Sequence, residues 1–226
     1  MRANNRITVF VGNYGSGKTE LSMNYALTLA RQGQKVALAD LDIINPYFRS
    51  REKADFLTSQ GVHVILPQTE YIMAEVPAMP PEIAGFIKNP AYHLVIDVGG
   101  DNTGATALGS LAQLIQEAGY EMLMVVNTTR PDASTPKGIA GLMQSIEAAS
   151  GLTITALVNN TNLAWETDLE LIQEGQDILE QVSFQTGLPI EFIVIERPLF
   201  HLASEHFTNL KVFPIDILLR LHWAKT

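Results

Sequence analysis

The stretch Gly12-Asn13-Tyr14-Gly15-Ser16-Gly17-Lys18-Thr19 constrains the fold more than any other part of the chain. It reads G-x-x-x-x-G-K-[ST]. It follows the apolar run Ile7-Thr8-Val9-Phe10-Val11 and precedes a helical pattern over 20–31. A strand, a glycine loop and a helix in that order form a cradle for phosphate. The glycines let the backbone curl until several N–H groups point inward, and the helix N-terminus adds positive partial charge. Gly12, Asn13, Tyr14, Gly15, Ser16, Gly17, Lys18, Thr19 and Glu20 are therefore the candidate phosphate-binding residues. In such a loop the Lys18 ammonium reaches β- and γ-phosphates, and the Thr19 hydroxyl holds Mg²⁺.

Downstream, short apolar runs alternate with helical patterns. Within 20–31, Leu21, Tyr25 and Leu29 recur at helical spacing, and Gly33 marks a stop. Strands are expected at 35–39, 62–66, 93–97, 122–126, 154–158 and 190–195, the last of these closing the sheet. Helices are expected at 82–88, 106–119, 134–149 (capped by Asp132 or Ser134) and 168–186. Residues 214–225 read as a closing helix packed on the sheet, with a membrane-surface role as the alternative. Continuous apolar strands separated by helices imply a parallel sheet covered on both faces. The fold class expected is α/β, with one domain over 1–226. The Pro- and Met-rich stretch 67–81 reads as irregular: a lid, a partner-binding loop or a connector.

Two strand ends carry acids. Asp40 and Asp42 follow the second strand, and carboxylates at the C-terminal end of a strand beside a phosphate loop point into the ligand crevice. Arg49 and Arg51 beyond them are surface charges or contacts to phosphate or a partner. The run His93-Leu94-Val95-Ile96-Asp97-Val98-Gly99-Gly100 ends an apolar strand in an acid, as a Mg²⁺ contact opposite the loop requires. Gly100 lets a backbone N–H approach a γ-phosphate. His93 is read as an ordinary strand residue.

Composition removes several classes of function. The 226 residues carry a net charge of −9, which argues against a broad nucleic-acid-binding face. There is no cysteine, so thiolate metal sites, cysteine-held iron–sulfur clusters and disulfides are excluded. No apolar stretch approaches the ~20 residues of a membrane span. Residues 1–6 are polar with no secretory segment, and the expected setting is cytoplasmic.

The base is addressed by Asn159-Asn160-Thr161-Asn162. Guanine-reading loops end in a carboxylate that accepts from both N1–H and N2–H, whereas an amide offers one oxygen plus donors. Asn159 or Asn160 suits adenine, which points to ATP. The alternative is that these asparagines only cap a turn.

Taken together, these motifs resemble the MinD/ParA-type P-loop ATPases and their relatives in cobyrinate amidation. The resemblance covers most of the chain: the loop, Asp40-x-Asp42, the Asp97-to-Gly100 segment, the 127–131 loop and the Asn159 strand end. It implies the three-layer P-loop NTPase fold, a mostly parallel sheet with helices on both faces. It implies that Asp42 orients the attacking water and stands near the metal, that Asp97 with Thr19 holds Mg²⁺, and that Gly100 is the switch glycine. It also implies that Asn159 or Asn160 binds adenine, and that Arg130 and Pro131 pass near the base. One position departs from the family. The lysine that reaches across a nucleotide-sandwich dimer is Asn13 here, and Tyr14 replaces a glycine, so the resemblance does not carry that homodimer over.

The function expected is a slow Mg²⁺-dependent ATPase, with Lys18 and Asp42 catalytic, that switches a partner protein. Two alternatives stay open: an ATP-dependent small-molecule ligase or kinase, and a non-hydrolysing ATP-dependent binding module.

Overall fold

A computed structural model describes residues 5–42, 53–66, 81–100 and 102–219. Among these, eight strands form one sheet: β1 (Ile7–Val11), β2 (Val36–Leu41), β3 (Val62–Ile65), β4 (His93–Val98), β5 (Glu121–Val126), β6 (Ala156–Asn159), β7 (Ile190–Glu196) and β8 (Val212–Ile215). Their order is β3-β2-β4-β1-β5-β6-β7-β8, and every pair is parallel. The helices are α1 (Lys18–Arg31), α2 (Ala54–Ser59), α3 (Pro81–Lys88), α4 (Asn102–Gly109), α5 (Ala112–Ala118), α6 (Pro136–Ser150), α7 (Leu169–Thr186) and α8 (Phe200–His206).

Successive side chains of a strand point to opposite faces, so each strand feeds two cores. Ile7, Val9 and Val11 of β1 pack with Leu94 and Ile96 of β4 against α3, α5, α6 and α7. Phe10, with Leu38 of β2 and Val95 of β4, packs against α1 and Leu57 of α2 on the other face. Phe10 meets Tyr25 of α1 edge-on at 5.3 Å between ring centroids. Both faces are covered, which is why the central residues of β2 (36–39) and β4 (94–96) are a continuous apolar run rather than alternating. The expected three-layer α/β fold is therefore the observed one.

Several elements differ from the sequence reading. The helix read at 106–119 is two helices, α4 and α5, parted where the Ser110 hydroxyl donates to the Ala107 carbonyl. The cap of α6 is Thr135, whose Oγ1 accepts from Gly138 N at 3.1 Å, and neither Asp132 nor Ser134 has that role. The sheet does not close at β7. The stretch expected to begin a closing helix instead supplies β8, and residues 216–219 continue without helix. Pro214 suits β8 because an edge strand loses no ladder bond to a missing N–H. The remainder of that expected helix, 220–225, lies outside the described residues. So do Arg49, Arg51 and all of the 67–81 stretch except Pro81. The six-residue α2 and seven-residue α8 were not anticipated, because segments so short show little periodicity.

Helix α7 approaches the loop after β6 so closely that a Cβ at Gly175 would fall 2.1 Å from Thr161 Oγ1. Gly175→Ala is expected to lower stability by about 1–3 kcal/mol, as overpacked cores do. Urea unfolding checks this, and an unchanged midpoint would contradict the packing described.

Candidate functional site

The loop between β1 and α1 depends on its glycines. Gly12 has φ 146°, and a Cβ there would lie 2.3 Å from the Val125 carbonyl oxygen. Gly17 has φ 86°, and its Cβ would lie 2.3 Å from Asn160 Nδ2. Neighbouring loops brace this curl. Asn160 Nδ2 donates to the Ser16 carbonyl at 2.6 Å, and Arg130 Nε donates to the Gly15 carbonyl at 3.1 Å. Lys18 is buried, and its Nζ donates to the Asn13 carbonyl at 2.9 Å. The ammonium is thus folded back over the loop whose backbone would receive phosphate.

Strand alternation decides which polar residues face this loop. Asp40 shares the parity of Leu38, and Asp97 that of Val95, so both carboxylates stand on the α1 face at strand C-termini. They are paired in register across β2 and β4. Asp40 Oδ1 accepts from Asp42 N at 2.9 Å. Asp97 is buried close to Lys18 and Thr19, yet among the described residues its Oδ1 has no hydrogen-bond partner. Burial first, then the Asp40 charge, push Asp97 up to about 7, against the pull of Lys18 and Thr19. A buried carboxylate oxygen left without a donor costs free energy that a cation would recover.

Thr19, Asp97 and the acids near them are hard oxygen donors and fit Mg²⁺. Among the described residues no three or more His, Asp or Glu converge on a protein-only cage. That also suits Mg²⁺, which keeps waters and is completed by phosphate.

A cavity of about 680 Å³ opens beside the loop. Tyr14, Gly15, Gly17, Lys18 and Thr19 line it, as do Glu20, Asp42, Gly100, Arg130 and Asn160. The other candidates sit elsewhere. Gly12 and Asn13 line a small pocket of about 50 Å³ behind the loop, Ser16 is buried, and Pro131 opens a 3-10 turn behind Arg130. Glu20 reaches the wall, but its carboxylate accepts from Leu218 N at 2.6 Å and Leu219 N at 3.1 Å. Gly100 packs on the loop itself, where a Cβ would lie 2.7 Å from Tyr14 N and Cα.

The sequence left Asn159 and Asn160 open, and alternation separates them. Asn159 points to the opposite face, where Nδ2 donates to Ile172 O and Gln176 Oε1 and Oδ1 accepts from Thr161 N. It ties β6 to α7 and does not line the cavity. Asn160, on the α1 face, does.

The far half of the cavity was missed from sequence. Trp165, Ile172, Val194, Glu196, Leu199 and Ile215 form it, together with Ile217 and Leu219. The signal available was the position of Glu196 at a strand end, as for Asp40.

No protein-family model matches the chain, and no curated protein matches it. Solved structures do. The cell division protein FtsY of Thermotoga maritima aligns at TM-score 0.55 and 19% identity, covering 86% of this chain and 63% of that one. FtsY of Mycoplasma mycoides aligns at TM-score 0.57 and 17% identity, covering 86% and 61%. The fold is that of the P-loop nucleoside triphosphatases. The signal recognition particle receptor FtsY of Elizabethkingia anophelis, solved with GDP, aligns at TM-score 0.54 and 20% identity, covering 86% and 58%. The chain spans about three fifths of the length of these structures. Among the described residues no helix is long and apolar enough to cross a membrane.

An acid whose folded pKa stands above its ordinary value contributes its full stabilisation below that ordinary value and loses it progressively up to the folded one. For Asp97 the contribution is present below 3.8 and lost as pH rises through about 7. Without Mg²⁺ or nucleotide, Asp97→Asn is therefore expected to melt above the wild type at pH 8, with the advantage shrinking towards pH 5. It is also expected to lose Mg²⁺-dependent stabilisation by a triphosphate. Thermal melts across pH check both, and a lower melting temperature at pH 8 would contradict the electrostatics.

Proposed function

We propose that this chain is a Mg²⁺-dependent nucleoside triphosphatase that acts as a molecular switch on a partner protein, with ATP as its nucleotide. The observation that carries the reading is the unpartnered Asp97 oxygen beside Thr19 and Lys18, on the same face as the braced loop. In this reading the amides of 15–19 and Lys18 neutralise phosphate charge, while Thr19 and Asp97 hold the metal. Bound there, Mg²⁺ would neutralise part of the triphosphate charge. Asp42, on the cavity wall, orients water in line with the γ-phosphate. Phosphoryl transfer needs chiefly positioning and charge stabilisation, which these groups supply.

ATP is preferred because Asn162, on the cavity wall, is an amide where a guanine reader presents a carboxylate. The GDP in one structural neighbour makes guanine nucleotides the comparison to run. Gly100, packed on Tyr14, gives the segment after β4 a direct mechanical link to the loop, which is what a γ-phosphate switch uses. The MinD/ParA-type assignment rests on the motifs. A single domain and a cytoplasmic setting belong to the same reading. Light scattering with ATP tests whether a second copy joins despite Asn13.

Lys18→Ala is expected to weaken Mg²⁺-ATP binding at least ~10-fold. Asp42→Asn is expected to bind ATP normally while phosphate release falls by about 10²-fold, in the range for loss of a general base. Binding and turnover assays check these, and undiminished turnover in Lys18→Ala would defeat the proposal.

A further inference from the structure

The cavity is longer than a phosphate site needs. Its phosphate and metal end lies at β1, β4 and β2, and its other end at β6, β7 and β8. Strands lie about 4.8 Å apart, so β7 stands roughly 14 Å from β1 across the sheet. An extended nucleotide with its terminal phosphates over β1 places its base near β6 and β7.

That end has the chemistry of a base site. Ile172, Val194, Leu199, Ile215 and Ile217 make an apolar wall. Trp165 stands on the rim and is 73% exposed. It sits in a 3-10 turn, Ala164–Glu166, whose first residue has φ 53°, a conformation L side chains rarely adopt. Thr167 pins the turn: its Oγ1 accepts from Leu163 N at 2.9 Å and donates to Ala164 O at 2.7 Å. An exposed indole carried on a braced turn beside an apolar slot is a stacking surface for a planar heterocycle.

Glu196 ends β7 on the α1 face, with the parity of Phe192 and Val194, and lines the same cavity. It is half-buried, and among the described residues it makes no hydrogen bond or ion pair. Burial alone acts on its carboxyl, raising its pKa. A half-buried carboxylate without a donor, facing an apolar slot, is completed by an N–H on the occupant.

We propose that Trp165 stacks the nucleobase and that Glu196 is the specificity-determining acceptor for an N–H on the base edge, which is the exocyclic amine of adenine when the nucleotide is ATP. This rests on the reading of the cavity as a nucleotide site and adds the residues that read the base, while Asn160 braces the loop.

The test is equilibrium binding of Mg²⁺ complexes of ATP, GTP and purine riboside triphosphate, which is ATP without its amine. Wild type is expected to bind ATP about 10-fold tighter than the riboside, as expected for one hydrogen bond to a charged group. Glu196→Ala brings that ratio close to one. Trp165→Ala weakens all three nucleotides alike, by about 10-fold, leaving the ratio unchanged. Trp165→Phe retains most of the affinity, and in Trp223→Phe, where Trp165 is the sole tryptophan, ATP addition changes the indole fluorescence; an unchanged signal on saturation with ATP contradicts the stacking role. Binding that depends on Lys18 with an unaltered ATP-to-riboside ratio in Glu196→Ala overturns this inference alone. A wild-type preference for GTP that disappears in Glu196→Ala overturns the adenine assignment. Absence of triphosphate binding by the wild type overturns the nucleotide reading and this inference together.

Discussion

Side chains alternate between the two faces of a sheet, and in this chain helices cover both faces. That constraint fixes where polarity is tolerated. Along the middle of β2 and β4 the interior holds only apolar groups, and in β1 the buried Thr8 is accommodated by donating to Glu121. At the C-terminal ends, alternation turns Asp40, Asp97, Asn160 and Glu196 towards the α1 face, in a row that runs past the phosphate loop. Two acids lie on the β4 side of β1, and an amide and an acid lie on the β5 side. A single register therefore lays out an elongated site with a metal end and an apolar end. The loop at β1 stands between them, at the place where successive connections depart in opposite directions along the sheet.

The same helix that presents Lys18 and Thr19 also holds the edge of the fold. Asn24 Nδ2 donates to Asp216 O at 2.9 Å, and Asn24 Oδ1 accepts from Asp216 N at 2.8 Å. Glu20 takes the next amides, those of Leu218 and Leu219. Arg197 pairs with the Asp216 side chain through two bonds, which hold that carboxyl below its usual range. Both partners of this ion pair are exposed, so it contributes little, of order 0–1 kcal/mol. The Asn24 and Glu20 bonds matter more because they satisfy backbone groups away from water. Through them, residues 216–219 form a wall of the cavity anchored to the first two turns of α1.

Much of this was legible in the sequence. The glycine motif between a strand and a helix located the loop, and apolar runs ending in Asp40 and Asp97 located the acids. The order of strands along the chain was readable because each fully buried strand is a continuous apolar run. What could not be read was direction. Asn159 and Asn160 are chemically alike, and only the register of β6 sends one to α7 and the other to the loop. Glu20 follows the motif directly, yet its carboxylate is taken by amides almost 200 residues away. Trp165 and Glu196 carry no motif. They become part of one site only when β6 and β7 are laid side by side. The expected helix does not begin at 214 because Pro214 lies in an edge strand, which accommodates it, whereas the helical spacing of 214–225 gave no sign of a strand.

The central claim is that the braced loop, Lys18 and the orphaned Asp97 oxygen together make a Mg²⁺-triphosphate site. Isothermal titration of the wild-type chain with ATP, in Mg²⁺ and again in EDTA, tests it most directly. The account predicts one ATP per chain, bound markedly more tightly with Mg²⁺ than without. Equal affinity in EDTA, or no heat of binding with either ATP or GTP, would contradict it.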